Sequence, residues 1–129
     1  MDCLVTLCGT RFDKVKEFNA RYAKDGVIWF LEACDLNVMG MRRALWQLEN
    51  AGWFENVKGF LIGRPVNYND SFDGFTPHDA VTGILEKYNV PIIMDLDIGH
   101  MAPMMPLISG ANATVCAKEN SIRISMKLT

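Results

Sequence analysis

Three strongly apolar runs, each typical of a buried β-strand, alternate along the chain with segments that carry a helical pattern. The strongest run is GVIWFLE (26–32), which is rich in β-branched and aromatic residues. VKGFLIGR (57–64) and VPIIMDLDIG (90–99) are the next two, and the opening CLVTLCG (3–9) is a further strand candidate. Strands that alternate with helices indicate an α/β fold.

Two segments near the first strand carry helical patterns. Asn37 is a suitable N-cap for a helix that ends before Gly52, a residue suited to the position just past a helix. The apolar residues of this helix recur on one face at positions Val38, Met41, Leu45 and Leu48. A shorter helix is expected within 11–24, with three apolar residues turned inward: Phe12, Val15 and Phe18.

A further helix is predicted to begin at TPHDA. Thr76 suits the N-cap, Pro77 the first helical position and Asp79 the third, where a carboxylate completes a capping box. The helix should end near 88–89, before Pro91. Its second residue, a histidine, is then most simply a surface residue of the first turn.

The end of the chain has the pattern of a β-hairpin. ATVCA and SIRISMKL are predicted to pair around a turn at 118–120. The second of these runs alternates apolar and polar residues, which is typical of a half-exposed strand. With 129 residues, the chain fits a single α/β domain with a mixed sheet and a C-terminal antiparallel hairpin.

Composition and charge exclude several classes of protein. Half of the residues are hydrophobic, which is enough for a core, and the formal net charge is −2 without a lysine or arginine run. We therefore expect neither nucleic acid nor a membrane surface as a partner. No apolar stretch approaches the ~20 residues of a spanning helix, and the first ten residues lack the pattern of a signal peptide.

The cysteines do not form a metal or disulfide pattern. Cys3, Cys8, Cys34 and Cys116 include no C-x-x-C pair, and we interpret them as buried free thiols in a reducing compartment. The two histidines lie 22 positions apart and neither neighbours a cysteine, which argues against zinc. No motif indicates another metal or a cofactor.

Polar residues that follow strands are candidates for chemistry, because ligands and catalytic groups gather at strand ends in α/β folds. Glu32 follows VIWFL, and His100 follows PIIMDLDIG. Each also has a simpler explanation, as a surface carboxylate and as a loop histidine bonded to a backbone carbonyl. Asp95 and Asp97 could orient an imidazole or cap a turn.

A histidine with a carboxylate forms the base and the orienting group of a hydrolase triad. A nucleophile is harder to identify, because no Gly-x-Ser-x-Gly turn is present. The serines are Ser71, Ser109, Ser121 and Ser125, and nothing in their context marks one as activated. The residues alone predict a base and its orienter without a nucleophile.

Two longer stretches resemble a known family. WFLEACDLNVMGMRRALWQLENAGWFENVKGFLIGRP is similar to the strand, helix and glycine-containing strand in the C-terminal domain of the LD-carboxypeptidases, a family of serine peptidases. PIIMDLDIGH, with the proline-rich loop and SGANATV after it, resembles the family's glycine-histidine signature. LVTLCGT is similar to the segment that enters this domain, so the resemblance runs over essentially the whole chain.

The resemblance implies that Glu32 and His100 are the catalytic glutamate and histidine of a Ser-Glu-His triad. It places the serine and the oxyanion-hole amides in an N-terminal domain, which we expect to be absent here, so that this chain alone is inactive. It further implies a swivelling-type β/β/α domain, a cytoplasmic location and homodimers. The implied reaction is hydrolysis of the bond between an L-diamino acid and D-alanine in muropeptides, during peptidoglycan recycling. A hydrolase of peptidyl-nucleotide antibiotics that confers immunity and a non-catalytic binding module are the alternatives.

Overall fold

A computed structural model describes residues 1–67, 69 and 71–128. The helices and strands follow one another in the order α1 (Asp2–Val5), α2 (Val15–Arg21), β1 (Val27–Leu31), α3 (Val38–Asn50), β2 (Val57–Gly63), α4 (Pro77–Leu85), a 3₁₀ turn (Glu86–Tyr88), β3 (Ile92–Leu96), β4 (Asn112–Lys118) and β5 (Ser121–Lys127). The predicted α/β class is confirmed, as are the three central strands and the closing hairpin.

The three central strands form a parallel sheet in the order β1-β2-β3. The middle strand, β2, is buried over nearly its whole length, which explains why its sequence is almost continuously apolar. Phe60 of β2 lies opposite Trp29 of β1 and Ile92 of β3. Because all three strands run the same way, their carboxyl ends lie along one edge of the sheet.

One face of this sheet carries the main core. The buried stripe of α3 includes Met41, Leu45 and Leu48, as the helical spacing predicts. These side chains belong to one cluster with Phe60 and Ile62 of β2 and with the buried residues of α4. The core is also aromatic, since the rings of Trp53, Phe54, Phe60 and Tyr88 contact one another or Trp29.

The predicted helix caps are present. The Asn37 side chain accepts a hydrogen bond from the Gly40 amide, and Gly52 follows the end of α3 with φ of 78°. Thr76 accepts from the Asp79 amide, while the Asp79 carboxylate accepts from the Thr76 amide. These local bonds satisfy amides that a helix N-terminus leaves free, so the boundaries follow from sequence.

The hairpin covers the opposite face of the sheet. Ile122 and Ile124 pack with Val115 against a second cluster built on Leu61, Leu96 and Ile98. The expected alternation of β5 is confirmed, because every second residue from Ile122 to Met126 is partly buried. In the described part of the chain the antiparallel pair forms its own two-stranded sheet, so the single mixed sheet that we expected is divided in two.

The strand predicted for residues 3–9 is wrong. The segment forms the short helix α1 and then turns. Two threonine hydroxyls donate to carbonyls three residues earlier, Thr6 to Cys3 and Thr10 to Leu7. Such local bonds compete with strand pairing, and a short apolar run does not by itself distinguish strand from helix.

The inward orientation expected around α2 is only partly correct. Val15 packs against the main core, but Phe12 and Phe18 are 65% and 42% exposed. Phe18 instead contacts the ring of Tyr22, four residues later, at 4.7 Å between ring centroids. The helix is also shorter than the segment proposed for it, so its apolar residues do not form one buried stripe.

The cysteines are free, as predicted, but they are not fully buried. Cys3 and Cys116 are exposed, and Cys8 and Cys34 are partly buried. Cys116 lies on β4 of the hairpin, and only one face of this hairpin packs against core residues. Among the described helices, none is long and apolar enough to cross a bilayer.

Candidate active site

The carboxyl edge of the parallel sheet brings together polar residues from three separate chain segments. Glu32 directly follows β1, Arg64 directly follows β2, and the loop 97–103 follows β3. The amide of Arg64 donates to the Leu96 carbonyl at 3.2 Å, which joins the ends of β2 and β3. This edge is where the topology of an α/β sheet favours a ligand or catalytic site.

Glu32 and His100 meet at this edge. The Nδ1 atom of His100 lies 2.9 Å from Oε2 of Glu32. The glutamate side chain is only 11% exposed, whereas the imidazole is 62% exposed. The two residues therefore converge on one surface, with the carboxylate on the inner side and the imidazole facing solvent.

The protonation pattern follows from the chemistry of the two groups. An ionised carboxylate can only accept hydrogen bonds, so a neutral His100 must place its proton on Nδ1. Its Nε2 atom then carries a lone pair and is able to accept a proton. The second carboxylate oxygen of Glu32, Oε1, is buried and has no hydrogen-bond partner among the described residues.

Two glycines make the approach of these segments feasible. Gly99 has φ of 106°, and a Cβ atom there would lie 2.2 Å from Cγ of Glu32. A Cβ atom on Gly63, at the end of β2, would lie 2.2 Å from the Ile98 carbonyl oxygen. Any side chain at either position would displace the histidine loop from the glutamate.

Hydrogen bonds to Asp2 hold the loop that follows β1 next to Glu32. The Asp2 carboxylate accepts hydrogen bonds from the amides of Cys34 and Asp35 at 3.1 and 2.9 Å. Partial burial raises the pKa of Asp2, but the amide bonds of Asp35 and Cys34 outweigh it and the pKa is lowered. Asp2 therefore stays ionised at neutral pH and holds the backbone that follows the glutamate.

The two aspartates considered as orienters of His100 have other partners. Asp97 accepts from Arg64 Nη2 at 2.6 Å. Asp95 Oδ2 lies 2.8 Å from Nε2 of His78. His78 is half-exposed, as expected for the first turn of α4, but the sequence did not reveal its bond to Asp95. Glu32 is thus the carboxylate that bonds to His100 among the described residues.

A bulge in β3 explains these pairings. From Leu61 to Gly63, β2 advances two residues while β3 advances three, and Asp95 has φ of 58°. Before the bulge Ile93 faces the hairpin, and after it Leu96 does so. Because of the extra residue, the Asp95 side chain reaches α4 on one face of the sheet. The loop that contains His100 then begins on the face that the hairpin covers.

The described residues contain no evident nucleophile for His100. Ser121 and Ser125 lie on exposed positions of β5, Ser109 lies in a turn before β4, and Ser71 is exposed in the segment before α4. Cys34 is close in sequence to Glu32, but burial, then the charges of Asp35 and Glu32, raise the pKa of its thiol. A raised pKa favours the protonated thiol, which is a poor nucleophile, so nothing marks Cys34 as activated.

The candidate metal ligands of the described residues are dispersed. Within residues 1–67, 69 and 71–128, no three side chains of histidine, cysteine, aspartate or glutamate are grouped to hold an ion. The arrangement at the sheet edge is instead a carboxylate-imidazole pair. It can hold one histidine tautomer and stabilise the imidazolium that forms when the ring accepts a proton.

Comparisons with known proteins identify the family of this domain. A family model described as the LD-carboxypeptidase C-terminal domain matches residues 1–115. A Vibrio cholerae protein that carries the provisional name carboxypeptidase is 28% identical over 92 residues, which are 71% of this chain and 28% of that protein.

The fold also has a counterpart among solved structures. The crystal structure of muramoyltetrapeptide carboxypeptidase from Oxalobacter formigenes matches with a TM-score of 0.65 and 21% identity, over 78% of this chain and 35% of that one. The chain thus spans about a third or less of the length of these relatives. The family match includes both Glu32 and His100, and the chain belongs to the LD-carboxypeptidase family, as its C-terminal domain.

Proposed function

We propose that this chain supplies the glutamate and histidine of a Ser-Glu-His triad in an LD-carboxypeptidase. The observation that carries the proposal is the 2.9 Å contact between His100 Nδ1 and Glu32 Oε2. A buried carboxylate behind an exposed imidazole is the arrangement of the acid and the histidine in a hydrolase triad.

In this mechanism His100 acts through Nε2. The ring takes the proton of a serine hydroxyl as the serine oxygen attacks the scissile carbonyl. The resulting imidazolium is stabilised by Glu32, which stays ionised, and it then donates the proton to the leaving amine. Water then attacks the acyl-serine ester with His100 again as the base, and the imidazolium returns the proton to the serine oxygen as the ester bond breaks and the shortened peptide leaves.

The nucleophile and the oxyanion donors would come from a second domain. The chain covers 28% and 35% of the two relatives described above, which leaves room for such a domain in proteins of this family. We propose that this domain binds at the carboxyl edge of the parallel sheet, where the imidazole is exposed. The swivelling β/β/α arrangement and a homodimer remain predictions from the resemblance.

The proposed substrate is a muropeptide, cleaved between an L-diamino acid and a terminal D-alanine, within the cytoplasm during peptidoglycan recycling. Support comes from the name of the Oxalobacter formigenes enzyme, which identifies it as a muramoyltetrapeptide carboxypeptidase. Because its identity to this chain is low, the likeness establishes the fold, and the substrate is a hypothesis to be tested.

The test joins this chain to the part of the Oxalobacter formigenes enzyme that it does not match. We expect the fusion to release D-alanine from a muramyl tetrapeptide, detected by mass spectrometry, and the isolated chain to release none. His100→Ala should abolish release, while Arg123→Ala, on the exposed face of β5, should not. A fusion that is equally active with His100→Ala would contradict the triad, and a folded fusion that is inactive would favour a non-catalytic module.

A further inference from the structure

Arg64 occupies a position that the proposed triad does not explain. It directly follows the central strand β2, and its side chain is only 25% exposed. Its Nη2 atom lies 2.6 Å from Oδ1 of Asp97, 3.2 Å from the Pro103 carbonyl oxygen and 3.5 Å from the Met101 carbonyl oxygen. One guanidinium nitrogen therefore contacts both sides of the segment that contains His100.

The contacts close the histidine loop at its base. Asp97 lies three residues before His100, and Pro103 lies three residues after it. The Asp97 carbonyl also accepts from the Met105 amide at 2.6 Å, which brings the two stems of the loop together. Between these stems the imidazole is largely exposed and contacts Glu32. The position of the ring therefore depends on how firmly the loop backbone is held.

The contacts that Arg64 makes at the base of the histidine loop suit arginine in particular. A guanidinium presents several N–H donors in a rigid plane, and its bond to an ionised carboxylate is stronger than one between neutral groups. The Nε atom of Arg64 is buried without a hydrogen-bond partner in the described part of the chain. A buried donor without a partner lowers the stability of the fold. A contribution of Arg64 to stability therefore explains its position at the end of β2 poorly.

We propose that Arg64 and Asp97 form a clamp that positions His100, so that Nδ1 of the imidazole meets Glu32. Arg64 is a positioning residue, since it contacts the loop backbone and not the imidazole. Its catalytic meaning rests on the proposed function, but the placement of the ring can be measured without activity.

The first measurement is the tautomer of His100 in the isolated chain. With ¹⁵N-labelled histidine, two-bond ¹H–¹⁵N correlation spectra at a pH where the ring is neutral show which ring nitrogen carries the proton. We expect the Nδ1–H form in the unmodified chain and a loss of that form in Arg64→Gln and in Asp97→Asn. Arg64→Lys retains the charge but not the planar fork, so it should retain part of the Nδ1–H signal.

Internal controls separate the clamp from general disruption. His78, the only other histidine, bonds to Asp95 and should keep its signals in every variant that folds. Arg123→Gln, on the exposed face of β5, should leave His100 unchanged. If Arg64→Gln failed to fold, Asp97→Asn and Arg64→Lys would carry the test.

The second measurement uses the active fusion described above. Misplacing a catalytic group by ~1 Å can lower the rate by ~100-fold, so Arg64→Gln should lower kcat by up to about that factor. KM should change much less, because Arg64 is not expected to contact substrate, and Arg64→Lys should restore part of kcat.

The outcomes distinguish the two proposals. If His100 in the unmodified chain lacked the Nδ1–H form, the Glu32-His100 pair itself, and with it the proposed function, would fail. If the unmodified chain had this form and both Arg64→Gln and Asp97→Asn retained it fully, the clamp would be wrong while the pair stood.

Discussion

Gly99 packs against Glu32 so closely that its missing side chain decides whether Glu32 and His100 can meet. A Cβ atom there would fall 2.2 Å from Cγ and 2.5 Å from Cδ of the glutamate. The residue also has φ of 106°, in a region that residues with a side chain rarely adopt. The glycine directly before the histidine is therefore a steric requirement of the pair.

Gly99→Ala should both destabilise the chain and separate the pair. The backbone strain alone should cost ~1–3 kcal/mol of unfolding free energy, and the contact with Glu32 should add to this. Urea denaturation gives the stability, and the His100 tautomer reports the separation. Gly110→Ala is the matched control, because Gly110 has φ of 80° but open space around its Cβ position. Equal losses in the two variants would show that the contact with Glu32 is unimportant.

The fold was predictable where local chemistry decides it. Asn37 and Thr76 cap the helices to which the sequence assigns them, because a capping bond joins residues three positions apart. The failure at residues 3–9 has the opposite cause. That run is apolar enough for a strand, but whether it pairs depends on distant segments, and Thr6 and the adjacent Thr10 form local turns instead.

The same distinction applies to the site. Glu32 and His100 could be proposed because both follow strands and both match a family signature. Their bond spans 68 positions in sequence, and the pairings of Asp95 and Asp97 depend on the bulge at Asp95. Nothing in the sequence shows that β3 contains an extra residue, so the partners of these aspartates required the structure.

Asp79 should make the free energy of unfolding depend on pH in the acidic range. Hydrogen bonds from the Thr76 side chain, and then from the Thr76 amide, lower the pKa of Asp79. A carboxyl whose pKa is lower in the folded state stabilises the fold above its unfolded pKa of ~3.9, and this effect is lost as pH falls through the folded pKa. Asp79→Asn should therefore lose less stability than the unmodified chain between pH 6 and pH 2.

Urea denaturation at several pH values in that range checks the prediction. Asp25→Asn is a suitable control, since Asp25 is exposed in the turn before β1. Parallel stability curves for the unmodified chain and Asp79→Asn would show that the capping carboxylate contributes nothing to the acid transition.

Cys34 should react slowly with alkylating agents. Burial, then the neighbouring charges of Asp35 and Glu32, raise the pKa of its thiol, and the thiolate is the reactive form. At pH 8 we expect iodoacetamide to modify the exposed Cys116 before Cys34, as followed by peptide mass spectrometry. Asp35→Asn should speed modification of Cys34, while Asp25→Asn should not. An unchanged rate in Asp35→Asn would exclude its charge as a cause.

In the active fusion, loss of His100 and loss of Glu32 should be strongly non-additive. Without the imidazole, Glu32 has no ring to orient, so its removal from a His100→Ala variant should change kcat/KM little. Single losses in a triad reach ~10⁴–10⁶-fold and combine to little more than the larger one. Glu32→Ala alone should be the milder change, because an imidazole without its orienting partner still accepts a proton in a fraction of encounters.

The measurement is kcat/KM for both single variants and the double variant, with release of D-alanine as the readout. Glu32→Gln is the matched variant, since it retains the size of the side chain and can still accept from Nδ1, but it carries no charge to stabilise an imidazolium. It should therefore fall between the unmodified fusion and Glu32→Ala. A double variant that lost the product of the two single factors would show that Glu32 acts independently of His100.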